Sequence, residues 1–207
     1  MIKDSNFTST TDKLIRASLI NKLYNSHKTD PDLRIIEELG ITHGAARVDI
    51  AVVNGMIHGY ELKSDLDTLY RLPEQIRIYN SVLDQITLVV GKNHLLDAIK
   101  MVPEWWGVVI AKIIDSENTI TFSTIRESEK NPKQDSVSIA RLLWREEALE
   151  ILERVGKTDG VRSKPRNYIY ERLALSLNQT DLRKEVRKCL HARINWRSGR
   201  PLMPNGG

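Results

Sequence analysis

The chain has 207 residues, 41% hydrophobic, 28% charged and 6% aromatic, enough apolar material for one sizeable core. Lys and Arg number 31 against 27 Asp and Glu, a formal +4 too mild to name a polyanionic partner. No run reaches the roughly 18 apolar residues of a membrane span, the polar start Met1 to Thr10 lacks a signal-peptide core, and one cysteine, Cys189, excludes an intrachain disulfide; a cytoplasmic protein is expected.

Along the chain, Leu14, Ile15, Leu19, Ile20 and Leu23 make the 3.6-residue stripe of a helix over Thr11 to Tyr24, capped by the Ser and Thr residues before it. Asp30-Pro31 breaks the pattern. Strands are expected at Leu33 to Leu39, Arg47 to Val53 and Met56 to Lys63, the last two joined across Asn54-Gly55, a hairpin signal. Thr68 to Val82 reads as a helix in which Pro73 is either an interruption or the true first turn. A buried strand at Ile86 to Val90, a helix at His94 to Met101 and strands at Val108 to Ile114 and Thr119 to Thr124 follow. The body is therefore α-β-β-β-α-β with additions, a mixed α/β class with helices covering a sheet.

Beyond the body lies the polar stretch Arg126 to Ser138, the best linker candidate. Three helices are expected in Arg141 to Val155, Arg166 to Leu177 and Asp181 to Asn195. From Arg141 onward there are 15 Lys and Arg against 8 Asp and Glu, leaving 16 against 19 in the body. The expected organisation is a body at 1–125, a linker at 126–140, a basic helical appendage at 141–200 and a disordered tail at 201–207.

Within the hairpin, charged residues stand among apolar neighbours: Asp49 in one strand, Glu61 and Lys63 in the other. A carboxylate buried in a strand is costly unless it is paired or bound to a metal. Two carboxylates supply hard oxygen ligands for Mg²⁺ or Mn²⁺, and Lys63, two residues from Glu61 and on its face, is placed to act on an attacking water. A two-residue Asn54-Gly55 turn would set Asp49 opposite Tyr60 and put Glu61 on the other face. A three-residue loop with a Gly55 bulge, pairing Val52 with Met56, brings Asp49 onto the face of Gly59, Glu61 and Lys63, and is the expected arrangement. Gly59 would leave room there for a metal or phosphate.

Asp49, eleven residues and then Glu61-Leu62-Lys63 resembles the D...(D/E)XK motif of the PD-(D/E)XK nuclease superfamily, although Val48 stands where that motif has proline. Gln75 and Tyr79 form a Q-x3-Y similar to one in its RecB-like branch. The run from Glu37 to Gln75, with Val102 to Val109 and Ser163 to Arg166, looks like a small bacterial and phage family with an Sce-type locus name placed in that superfamily. The resemblance implies a restriction-endonuclease-like core with a C-terminal helical appendage. It also implies metal-dependent phosphodiester hydrolysis, with DNA ahead of RNA as substrate.

In that reading Asp49, Glu61, Lys63, Gln75 and Tyr79 are catalytic. Asp49, Glu61 and Glu38 hold Mg²⁺, with Glu37 the alternative to Glu38 because successive strand residues face opposite ways. Arg71, Lys164, Arg166, Arg183 and Arg187 track nucleic-acid phosphates. The alternative is a non-catalytic nuclease-fold module that binds DNA or recruits a partner, and a homodimer is compatible with either. Ser64, Asp65 and Asp67 are better explained as helix caps than as ligands. His43 and His58 have no second histidine at ligand spacing, and Trp105-Trp106 reads as core.

Overall fold

The computed structural model describes residues 9–114 and 117–193; the tail expected at 201–207 lies outside them. Helix α1 (Asp12–Ser26) opens on Thr11, whose side chain accepts the Leu14 amide and so satisfies one orphan donor of the first turn. Strands β1 (Arg34–Ile41), β2 (Ala46–Val53) and β3 (Ile57–Lys63) form an antiparallel meander, β1 against β2 and β2 against β3. Helix α2 (Leu72–Asn80) then crosses over to β4 (Gln85–Gly91), parallel to β3, and α3 (Leu95–Met101) crosses to β5 (Gly107–Ile113), parallel to β4. Strand β6 (Ile120–Arg126) closes the edge antiparallel to β5. The sheet is thus six-stranded in sequential order, β1 to β6. Pro73 sits in the first turn of α2, where a missing N–H costs nothing, so the helix begins later than its apolar pattern does.

Among the described residues one face of the sheet is covered by α1 alone, through Ile15, Leu19 and Leu23 against Ile50, Val52, Leu62 and Val89. The other carries the larger core. There Tyr79 of α2 and Trp106, both fully buried, lie with rings 6.3 Å apart, and the Trp106 indole N–H donates to Asn80 Oδ1 at 2.9 Å. The same core continues into α4 (Ser136–Ala140), α5 (Arg145–Arg154), α6 (Arg166–Ser176) and α7 (Gln179–Ala192), which contribute Ile139, Leu152, Ile169, Leu173, Val186 and Leu190. The sequence reads these helices as an appendage, but their apolar faces and that of the sheet share one core.

The stretch expected as a linker is an ordered strap ending in α4. Buried Asn131 gives its amide N–H groups to the carbonyls of Asn80 and Leu83, and its backbone N–H to Asp84. Polar composition reads as a linker, yet here Asn131, the Gln134 amide (to the Val82 carbonyl) and the Asp135 backbone N–H (to the Ser81 carbonyl) satisfy carbonyls at the end of α2 and the turn beyond it. Among the described residues no helix is long and apolar enough to cross a membrane.

Candidate functional site

The hairpin loop is three residues long, Asn54, Gly55 and Met56, closed by Val53 opposite Ile57, with Gly55 at φ +92°. The closing pair lies one residue further along than Val52 with Met56, but the parity is the same, so Asp49 falls in register with Glu61. Before that pair is reached the ladder ends, at Ile50 opposite Tyr60. Beyond it, Asp49 Oδ2 accepts the Leu62 amide at 2.8 Å, a carboxylate standing in for the ladder carbonyl. Opposite Asp49 on β1, Glu38 has φ +54°, the left-handed region that favours glycine. That kink turns Glu38 toward the cleft, whereas Glu37 is exposed.

The resulting cleft, about 440 Å³, is lined by Asp12, Glu38, Asp49, Glu61, Asp67 and Glu74 against Arg47, Lys63 and Arg71. Glu61 is 1% exposed, and Lys63, Gln75 and Tyr79 engage it. Lys63 Nζ and Gln75 Nε2 (2.6 Å) donate to its Oε1. The Tyr79 hydroxyl lies 2.8 Å from its Oε2 and 2.6 Å from the Arg47 carbonyl, with one proton to share between them. Burial, with the Asp49 charge behind it, pushes Glu61 up to about 7 against the pull of Lys63 and Tyr79. Burial also raises Asp49, opposed by the Leu62 amide and Arg16. The Tyr79 phenol is held far above its usual range by burial and by Glu61.

Sequence reasoning missed Arg16. Its guanidinium reaches Asp49 Oδ1 at 2.8 Å, the Asp49 carbonyl at 2.9 Å, Glu38 Oε1 at 3.1 Å and both oxygens of Asp12 at 3.1 Å. Burial opposes its charge, yet the carboxylates outweigh burial and hold its pKa above the usual value. Arg16 therefore stands between Glu38 and Asp49, a cation supplied by the chain itself. The available signal was Asp12-x3-Arg16, an i,i+4 pair on α1. Among the described residues no group of three His, Cys, Asp or Glu side chains is gathered to hold a metal ion.

The other expected site residues divide. Lys63 and Gln75 line the cleft with Glu61, fully buried Tyr79 reaches Glu61 from the core, and exposed Arg71 lines the cleft edge. Gly59 does not open it: a Cβ there would lie 2.5 Å from Leu83 Cδ1 and 3.1 Å from Val48 Cγ2, so its missing side chain admits core rather than ligand. Asp65 is a clamp, accepting the Thr10 amide and hydroxyl and the Asn93 amide, and Asp67 accepts from the Ser64 amide and hydroxyl. Lys164 and Arg166 are exposed near the start of α6. Arg183 is spent internally on Asp84, Gln134 and Gln179, and it lines a second groove with Arg187. The basic residues thus lie in three separate places.

The family model described as Bacteriophage P4 protein cII matches residues 5–200. A curated relative, Protein cII of Enterobacteria phage P4, is 26% identical over 144 residues, 70% of this chain and 53% of the relative. The chain thus spans about half the length of that relative. No solved structure matches it. These matches overturn the resemblance to the PD-(D/E)XK superfamily, and with it the expected Mg²⁺- or Mn²⁺-dependent nuclease, hydrolase and endonuclease activity. The alternative of a non-catalytic nuclease-fold module loses its basis with the superfamily. The physical reason the motif misled is local. Asp49, Glu61 and Lys63 do converge, but a hydrogen-bonded ion network with Arg16, Gln75 and Tyr79 also satisfies the need to neutralise buried carboxylates.

Proposed function

On the premise that the chain belongs to the Bacteriophage P4 protein cII family, we propose that it is a nucleic-acid-binding protein whose C-terminal helices meet the phosphate backbone. The observation that carries this is the segregation of charge. The cleft gathers the carboxylates, while residues 141–193 hold 13 Lys and Arg against 8 Asp and Glu. On that side Lys164 lies 5.7 Å from the ring centre of half-exposed Tyr168, and Arg166, Lys184 and Lys188 are exposed. Interleaved basic and aromatic side chains suit a strand of phosphates and bases.

The test is anisotropy of labelled single-stranded DNA, duplex DNA and RNA across about 50 to 200 mM salt, where log affinity falls with log salt in proportion to the phosphates contacted. Lys164→Ala with Arg187→Ala is expected to flatten that slope by about 2 for the preferred polymer. Absence of binding to all three polymers at low salt overturns the reading.

A second reading is favoured by the raised pKa of both Asp49 and Glu61, carboxylates that a further cation would relieve. Mg²⁺, with Mn²⁺ as substitute, would take Glu38, Asp49 and Glu61 once Arg16 is removed. Calorimetric titration of Arg16→Ala with MgCl₂ should show a site weaker or absent in the wild type. No heat in either protein ends that reading.

A further inference from the structure

On the far side of the β1–β2 turn from the acidic cleft, α4, the start of α5 and α6 enclose a second pocket of about 570 Å³. Its volume falls within the range of small-molecule sites, roughly 300 to 1,000 Å³. The walls carry three guanidinium groups, Arg141, Arg145 and Arg166, and three rings, His43, Trp144 and Tyr170. The one carboxylate, Glu146, is already paired with Arg145 at 3.2 Å. Arg141 and Arg166 have neither ion pair nor side-chain hydrogen bond among the described residues, and the Nε of Arg141 is buried without a partner. A buried N–H left unsatisfied costs about 1–3 kcal/mol, so such a group marks a place where an acceptor belongs.

The rings are held rather than loose. Tyr170 is 1% exposed and donates its hydroxyl to the Leu143 carbonyl at 3.0 Å, and the His43 ring lies 5.2 Å from it. Thr42, His43 and Gly44 all have positive φ, and for a β-branched threonine that conformation is strained. Trp144 is 52% exposed with the buried Arg193 guanidinium stacked on it at 4.3 Å. Burial first, and then the charges of Arg166 and Arg141, lower the pKa of His43, so both guanidinium groups act on the same ring.

We propose that this pocket binds a nucleoside phosphate, with the phosphate between Arg141 and Arg166 and the base against the aromatic wall. Guanidinium forks match phosphate oxygens in pairs, and the exposed rings of Trp144 and His43, the latter backed by buried Tyr170, offer a stacking surface for a planar base without demanding one sequence. A free nucleotide suffices for this pocket, so the inference stands whether or not the helical layer holds a polymer.

The experiment titrates the full chain with the 5′-monophosphates of adenosine, guanosine, cytidine and uridine, with inorganic phosphate and with adenosine, following Trp fluorescence and the His43 titration by NMR. At least one monophosphate should bind at least tenfold more tightly than either inorganic phosphate or adenosine, quench Trp144 and raise the His43 pKa. Arg166→Gln, at an exposed position that folding does not need, should weaken that binding about tenfold, and Arg141→Gln should do the same. Nucleic-acid binding that survives Arg141→Gln while the nucleotide is lost separates this pocket from the polymer surface. Equal binding of inorganic phosphate, no binding of any monophosphate, or binding indifferent to both variants overturns the proposal.

Discussion

Gly44 lines both the acidic cleft and the arginine pocket, and the two differ in how their charge is settled. In the cleft each buried ion has found its partner within the chain: Lys63 on Glu61, and Arg16 on Asp12, Glu38 and Asp49. In the pocket Arg141 and Arg166 have neither ion pair nor side-chain hydrogen bond among the described residues, although Glu146 lines the same wall. A closed network spends its charges on holding the fold, whereas an open one keeps them for a ligand. Removing a charge should therefore cost stability on one side of Gly44 and affinity on the other.

The largest expected effect tests the closed side. Glu61→Leu strands the Lys63 ammonium and should lower the unfolding free energy by about 3–5 kcal/mol in urea. The double variant Glu61→Leu/Lys63→Met should recover a substantial part of that loss, and no recovery would show that the pair is not the source.

Next comes the contrast between arginines. Arg16→Ala leaves Asp49 without its cation and should cost about 2–3 kcal/mol, while Arg141→Gln should stay within about 0.5 kcal/mol because no internal acceptor is lost. Equal costs would erase the distinction between the two regions.

Acid–base behaviour gives a third handle. Glu61 has its ordinary value of 4.5 when unfolded and about 7 when folded, so across that window the folded state binds more protons. Stability should then fall as pH rises from about 4.5 to about 7, by about 1–3 kcal/mol, and level off above it. Glu61→Gln should remove that slope in a urea series run at several pH values; an unchanged slope would assign it to another group. The smallest effect is expected at the exposed Glu74–Arg77 pair on α2, where Glu74→Ala should leave the urea midpoint unmoved.

Much of the fold could be read along the chain. Apolar spacing placed the first helix and the strands within about two residues, and Asn54-Gly55 signalled a hairpin whose loop parity sets Asp49 and Glu61 in register. Glu61, Lys63, Gln75 and Tyr79 were legible as a group because spacings of two in a strand and four in a helix are local geometry. Arg16 was not, since its three carboxylates come from α1, β1 and β2 and their meeting depends on how α1 lies across the sheet. The Asn131 strap was read as a linker for the same reason: composition reports that a segment is polar, not which carbonyls it will meet.

The sequence by itself determined the element order, the mixed α/β class and the polarity of the two regions, because periodicity and charge count are properties of neighbours along the chain. Only the tertiary structure decided which charges cancel and which stay open. Glu38 and Asp49 are closed by a guanidinium from another element, and Arg141 and Arg166 are brought beside Tyr170 by the packing of α4 against α6. Neutralisation acts through a few ångströms of space, whatever the distance along the chain.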